Sequence, residues 1–465
     1  MKDNAVLGGL LAGAAVLVGA AAWAAQVAPS APTPQDVLEF VDGSVLHGQV
    51  RNMDLEHGLT WAEPDARQAI HFRPAHIDFI RFAHARAVSL APTCHLRFAN
   101  GDDLFGSIAS LDSERLGFRT WFGGAMNISR AAVRSITFLS SNYSIVYEGP
   151  YDASGWTVAN NASQSWSYHD GCFVGSGPGT LSRDLSLTNS ATVEFDLDWN
   201  GPFQLLVGVY SDLQTRRDSY WLEFSSQQVS LRHAPAIGLP RNFGGVPLPG
   251  AGSKGKIHAA IQCNRQEGAV SVFVNNTMLK TWKDQGGFPA VQPGLVQALG
   301  TGLVFQQEGV AGATLKLGNF KVSQWQGPSE PDTTVETANT DSIHFINHDR
   351  AAGKITGIQN GKVTLALGDT VLDIPLERVT QINFAGAGAP SPTAGPWVVR
   401  AHFPGGGSLS FQLERWDDKM VCGQSPIFGS LSLQSAAIRQ MEFNLDRPKG
   451  EGTAVADKEF DSLDE

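Results

Sequence analysis

Past residue 25, apolar residues recur mostly at every second position, in short runs closed by Gly, Pro, Asn or Asp. That period predicts short, half-buried strands throughout. In four places the runs share one layout. A Phe leads into a turn and a Gly, and about 40 residues later comes a hydrophobic–x–x–hydrophobic–x–Phe ending. The four read Phe40…Ile77–Ile80–Phe82, Phe98…Val133–Ile136–Phe138, Phe345…Val379–Ile382–Phe384 and Phe403…Ile438–Met441–Phe443. Repeats of this length set the architecture. Here they predict two tandem pairs of small modules flanking an insert.

Each repeat opens on a tight turn: Asp42–Gly43, Asn100–Gly101, Asn347–His348 and Gly405–Gly406. Asn-Gly and Asp-Gly signal hairpins, because both central residues need positive φ. A second Gly follows in three repeats (Gly48, Gly106, Gly353), where a bend or close backbone approach is expected. The fourth has Phe411 in its place. A short polar turn, such as Ser129–Arg130–Ala131–Ala132, precedes the closing strand. Between Tyr143 and Trp325 the period stays at two, but the layout changes to about a dozen strands, which predicts a two-sheet sandwich.

Composition supports the all-β reading: Gly numbers 50, and charged residues make up only 17%. The N-terminus differs. Ala5 to Ala25 is apolar without a break, and Ala22–Trp23–Ala24 fits small-x-small cleavage. Residues 1–25 therefore read as a secretory signal, with an uncleaved anchor as the alternative. Either makes the body exported: periplasmic, cell-surface or secreted. Membrane contact is expected only through that segment, if it is retained. The net charge of −11 excludes a basic nucleic-acid footprint. The four cysteines form no CxxC pair and no zinc spacing; they read as core thiols, with Cys172–Cys263 the one pair inside a single proposed domain.

The repeats resemble Sm-like and Src-homology-type small barrels, five short strands with a single turn before the last. The insert resembles the concanavalin-A-like lectin/glucanase jelly roll, including laminin-G-type and 3-keto-glycoside-hydrolase-like domains. That likeness is carried by Gly155–Trp156, Asp170–Gly171–Cys172–Phe173, Val193–Glu194–Phe195–Asp196, Tyr220–Trp221–Leu222–Glu223 and Val272–Phe273–Val274–Asn275. The expected organisation is a signal or anchor (1–25), a linker (26–35), repeats at 36–85 and 92–140, and the sandwich at 143–326. A second linker (327–340), repeats at 341–386 and 397–444, and an acidic disordered tail (445–465) complete it.

Within that resemblance, Glu194, Asp196 and Asp198 align with the Glu-x-Asp-x-Glu strand of laminarinase-type hydrolases, where one Glu is nucleophile and the last is acid/base. Here Asp198 or Trp199 fills the acid/base position, so the motif fails at the residue that protonates the leaving group. Strand residues four apart lie roughly 13 Å apart, and retaining glycosidases hold their carboxyls only about 5–5.5 Å apart. The alternation itself places Val193, Phe195, Leu197 and Trp199 toward the core and the acids toward water. Trp166 and Tyr168, beside His169 and Asp170, form an aromatic and polar group of the kind that grips sugars.

Other constellations are weaker. Gly250–Ala–Gly252–Ser–Lys–Gly255–Lys256 fits phosphate-loop spacing, but a strand pattern follows it instead of a helix. His344 and His348 sit on a strand and turn, too far apart to share an ion. Asp212, Asp218 and Asn242 supply the loop oxygens that some jelly-roll relatives use for Ca²⁺; no ligand spacing marks a site. No metal or cofactor is expected. The leading expectation is an exported, non-catalytic binding or scaffold protein whose sandwich recognises a glycan or an envelope protein. The alternatives are a carbohydrate-active hydrolase or lyase using the sandwich acids, and a cell-envelope assembly component.

Overall fold

The computed structural model describes residues 35–83, 92–139, 143–159, 165–214, 219–235, 239–265, 267–275, 277–284, 300–308, 312–324, 340–347, 349–388 and 395–445. The apolar N-terminus, most of both linkers, the acidic tail, Asp218, Trp325 and His348 lie outside these residues. Among the described residues every regular element is a β-strand or a three-residue 3-10 turn. The protein is all-β.

Each repeat supplies five strands. In the first these are Asp36–Phe40, Val45–Asp54, Gly58–Ala62, Ile70–Phe72 and Ile77–Arg81. The first strand pairs with the second and the fifth, the second with the third, and the third with the fourth. The same order recurs at 94–138, 341–383 and 398–442. A 3-10 turn precedes the fifth strand every time.

Local chemistry explains this recurrence. Gly43 and Gly101 hold the opening turn at φ 86° and 87°, each donating its N–H to the carbonyl of the leading Phe. The second strand carries a bulge at the same place in all four segments, after Val50, Ile108, Ile355 and Leu413. A bulge adds twist and bend to a long strand. In the first and third segments a buried Asp ties three strands together. Asp36 accepts from the N–H groups of Val50 and Ala83, and Asp341 accepts from those of Ile355 and Ala385.

The segments pair across the insert. The fifth strand of the first joins that of the fourth (Ile80 opposite Met441), and the fifth strand of the second joins that of the third (Ile136 opposite Ile382). The long second strands add contacts in the same two pairs, Met53 with Trp416 and Leu111 with Ile358. Arg130 reinforces the second pair, donating to the Ile355 carbonyl at 2.6 Å and to Asp341 at 3.3 Å. One apolar core runs through all four segments, with Trp61, Phe98, Phe118 and Phe403 among its buried rings.

The insert is a two-sheet sandwich. One sheet runs in the order Trp166–His169, Cys172–Gly175, Thr314–Gln324, Ser190–Asn200, Lys254–Asn264, Ala269–Val274 and Thr277–Lys283; Ser144–Gly149 also pairs with Thr314–Gln324. The other runs Thr157–Ala159, Gly179–Asp184, Gly302–Glu308, Gln204–Ser211, Ser219–Ser225, Gln228–Ala234 and Arg241–Pro247. Arg241–Pro247 forms an edge strand although its Asn-Phe-Gly-Gly stretch has no period-two alternation. Between the sheets, Phe195, Phe224, Phe305 and Phe320 are fully buried among Val, Leu and Ile. All four cysteines are free. Cys263 lies in this core, and Cys172 receives Arg81 Nη2 from the first segment at 3.4 Å.

Candidate functional site

The strand Ser190–Asn200 alternates as expected: Val193, Phe195, Leu197 and Trp199 enter the sandwich core. Its acids do not face water, however. Their face is covered by the four segments. Lys316, beside Asp198 on the neighbouring strand, reaches Glu39 of the first segment at 2.6 Å. Lys256 and Lys316 both lie 5.4 Å from the centre of the Phe79 ring. Glu148 accepts from Arg439 of the fourth segment at 2.7 Å and from the Gly405 N–H at 3.0 Å.

On this covered face every acid has cationic cross-strand neighbours. Glu194 lies opposite Lys321, Asp196 opposite His258, and Asp198 between Lys256 and Lys316. Opposite charges directly across a strand pair stabilise the sheet. The contacts are 3.1 Å for Lys321–Glu194, 2.8 Å for His258–Asp196 and 3.6 Å for His258–Glu194.

Burial alone would raise the Glu194 pKa, but Lys321 and His258 hold it well below the usual carboxylate range. Burial would likewise lower that of His258, yet its hydrogen bond to Asp196 and the charges of Asp196 and Glu194 push it up to about 10. Asp198 is raised by burial, with Lys256 and Lys316 opposing. Glu194, held this strongly ionised, is a poor general acid near neutral pH.

Trp166 is not on a surface. It is buried in the sandwich core with Nε1 donating to the Gly179 carbonyl at 3.1 Å, because its position on the strand points inward. Tyr168 is half-buried, edge-on to Phe173, and its hydroxyl donates to the Tyr151 carbonyl at 2.5 Å. The Gly250–Gly252 stretch is a turn running directly into the strand Lys254–Asn264, so no helix N-terminus is present to meet a phosphate. Asp212 and Asn242 accept from backbone N–H groups two residues on, closing their own turns. Among the described residues no group of three or more His, Cys, Asp or Glu is arranged to hold a metal ion.

A concavity lies beside the acid strand. It is a cleft of about 770 Å³ where the second and third segments meet the outer face of the sandwich sheet. A volume of that order suits a small ligand. Its sandwich wall carries Gln262, Ser271 and Thr281 around the buried ring of Phe273. Its segment wall carries Arg97, Arg134, Gln381 and Asn383.

Much of this wall is already fixed in place. Ser271 and Thr281 share a hydrogen bond at 2.8 Å, and Gln381 donates to Asn383 at 2.6 Å. Phe105 is stacked between His95 and Tyr143 and bears Lys321 on the ring at 4.1 Å. The guanidinium of Arg97 lies 5.4 Å from the centre of Phe273. Burial lowers the Arg97 pKa, opposed by Asp103 and Glu194.

Local patterning did not identify these residues. Arg97 reads as an ordinary outward residue of an alternating strand. Phe273 had a visible signal: Ala269–Val274 reads Ala-Val-Ser-Val-Phe-Val, a near-continuous apolar run that suits a strand covered on both faces, and it is buried at every position.

No family model and no curated protein matches the chain. Several solved structures do. A carbohydrate-binding module of Bacillus subtilis, CBM66, is 14% identical over 37% of this chain and 96% of its own, with a TM-score of 0.27. A Bacillus licheniformis beta-glucanase is 11% identical over 39% of this chain and 98% of its own, with a TM-score of 0.29. A putative glycosyl hydrolase of Parabacteroides distasonis is 14% identical over 39% and 98%, with a TM-score of 0.27.

Proposed function

We propose that this protein is a non-catalytic carbohydrate-binding and scaffold protein whose ligand lies in the cleft between the paired segments and the sandwich. The observation that carries this reading is the cleft's lining. Amide and hydroxyl side chains of Gln262, Ser271, Thr281, Gln381 and Asn383 line it together with Phe273 and Tyr143. Directional polar groups beside aromatic surface are how a sugar's hydroxyls and C–H faces are held. The four segments, read as small barrels, form the frame that builds one wall.

The covered acids favour binding over turnover. Asp196 and Asp198 lie beneath the segments with their charges matched by Lys and His, a structural use of the laminarinase-like strand. The expected exported location follows from the apolar N-terminus and suits a ligand in the cell envelope.

The test is a glycan array probed with the whole protein, followed by calorimetry on each hit with wild type, Gln262→Ala and Glu194→Gln. Binding that Gln262→Ala weakens, with no sugar released over the incubation, supports the reading. Hydrolysis that Glu194→Gln abolishes would replace it with the enzyme. Absence of binding across the array would refute it.

A further inference from the structure

The cleft holds an asymmetry of charge that a neutral sugar leaves unused. Its three acids are all engaged. Glu194 is paired with Lys321 at 3.1 Å, and Asp103 accepts from His95 at 2.9 Å and from Ser408 Oγ at 3.1 Å. Asp102 accepts from the N–H and Oγ of Ser410, both at 2.7 Å, and from Asn100 Nδ2 at 2.8 Å. Three of its cations are not engaged in this way. Among the described residues, Arg97, Arg134 and Lys280 form no ion pair and no side-chain hydrogen bond. Arg97 touches the face of Phe273, with Asp103 and Glu194 acting on it through space only, and Lys280 touches the Trp282 ring at 5.5 Å.

The two arginines come from adjacent strands of the second segment, and Lys280 comes from the sandwich wall across from them. A ligand in the cleft would therefore meet positive charge from both walls. Arg97 is the most constrained of the three: half-buried, stacked on an aromatic ring, with all its N–H donors unspent. A guanidinium so placed matches a carboxylate or sulfate with two parallel hydrogen bonds.

We infer that the cleft selects an acidic saccharide, its carboxylate or sulfate held by Arg97 with Arg134 and Lys280 at the opening. This rests on the carbohydrate reading above and narrows it to a substrate class. Burial makes the Arg97 charge costly even with Asp103 and Glu194 nearby, so a ligand anion gains more here than at an open surface. The ring of Phe273 keeps the guanidinium plane in one orientation, and that fixes where the anion must lie.

The experiment compares uronate-containing and sulfated oligosaccharides with their carboxyl-reduced or desulfated counterparts, using calorimetry on the whole protein at low and high salt. The acidic members should bind at least about tenfold more tightly, the scale of one charge-assisted hydrogen bond. That preference should shrink as salt rises. Arg97→Gln should remove most of it. Arg134→Gln and Lys280→Gln, substitutions at more open positions that spare the core, should each reduce it and leave thermal unfolding unchanged.

Equal binding of acidic and neutral members would overturn this inference and leave the carbohydrate reading intact. So would a preference that survives the triple substitution. Tight binding of oligoglutamate with no saccharide bound would overturn both, placing an acidic peptide in the cleft. No binding of any probe would also overturn both.

Discussion

Phe411 and Gly423 face each other across the second and third strands of the fourth segment, and they are the reverse of the pair found in the other three. There the Gly is on the second strand and the large side chain on the third: Gly48 against Trp61, Gly106 against Phe118, Gly353 against Leu365. A Cβ on Gly423 would lie 2.5 Å from Phe411 Cδ2 and 2.4 Å from the Gln412 carbonyl oxygen. Only one of the two strands has room for a side chain at this crossing.

Gly423→Ala should therefore destabilise by about 1–3 kcal/mol, the cost of overpacking a filled site. Combining it with Phe411→Gly should cost less than the sum of the two single changes, because the ring that blocks the new methyl is gone. Urea unfolding of the two single variants and the double variant measures this. Strictly additive losses would show that the two sites are not exchanging one volume.

Asp36 and Asp341 do the same work in different segments, each accepting from a backbone N–H fourteen residues on and from one just past the fifth strand. Replacing either with Ala takes the carboxylate acceptor from one buried and one partly buried backbone donor. Each loss should cost about 2–4 kcal/mol. Asp341→Ala should be the worse of the two, because it also releases Arg130. Hydrogen exchange should localise the damage to Val50 and Ala83 in one variant and Ile355 and Ala385 in the other. Uniform loss of protection over the whole chain would argue against a local clamp.

The parts of the fold that were legible in the sequence are those written in local chemistry. Gly43 and Gly101 mark turns that need positive φ, and Phe195 between Glu194 and Asp196 marks a strand with one buried face. The bulge after Val50 has no residue signature, since it arises from strand pairing. What covers a polar face was equally invisible. Glu194, Asp196 and Asp198 look like a wet edge until Lys256, His258, Lys316 and Lys321 arrive from more than fifty residues downstream and the segments close over them. The cleft escaped for the same reason: Arg97 and Phe273 meet only once the second segment docks on the sandwich.

The His258 network should give stability a defined pH dependence. Its folded pKa of about 10 lies above the ordinary 6.5, so its contribution is complete below 6.5 and disappears as pH rises through about 10. Glu194 has the opposite sign: its folded pKa is depressed, so its contribution is present above the ordinary 4.5 and is lost as pH falls toward the folded value. His258→Leu should lower stability near pH 6 by about 1.5–3 kcal/mol and flatten the alkaline decline. Denaturant midpoints measured across this range provide the check. A variant whose stability falls in parallel with wild type between 6.5 and 10 would contradict the assignment.

Thiol reactivity should separate the cysteines by depth. Burial pushes Cys263 up to about 12 and also raises Cys94, whereas Cys422 is half-buried. Because the thiolate is the reactive form, iodoacetamide on the native protein should label Cys422 first and leave Cys263 untouched until unfolding. Mass mapping of labelled peptides reads this directly. Early labelling of Cys263 would mean that the sandwich opens on the timescale of the reaction.

Arg439 and Glu148 join the fourth segment to the sandwich, with both side chains largely buried and Glu148 also accepting from Gly405 N–H. Arg439 additionally donates to Asn319 of the same sandwich sheet. Removing one partner leaves the other charge buried without its counterion, so Arg439→Ala should cost about 3 kcal/mol. The double variant with Glu148→Gln should cost less than the sum of the two single changes. A double-mutant cycle should return a coupling of about 1–3 kcal/mol. Because the pair bridges sandwich and segment, the single variant should also expose the linker-flanked segments to protease sooner than the sandwich. A coupling near zero, with an unchanged cleavage pattern, would show that the apolar contacts hold the two parts together without this ion pair.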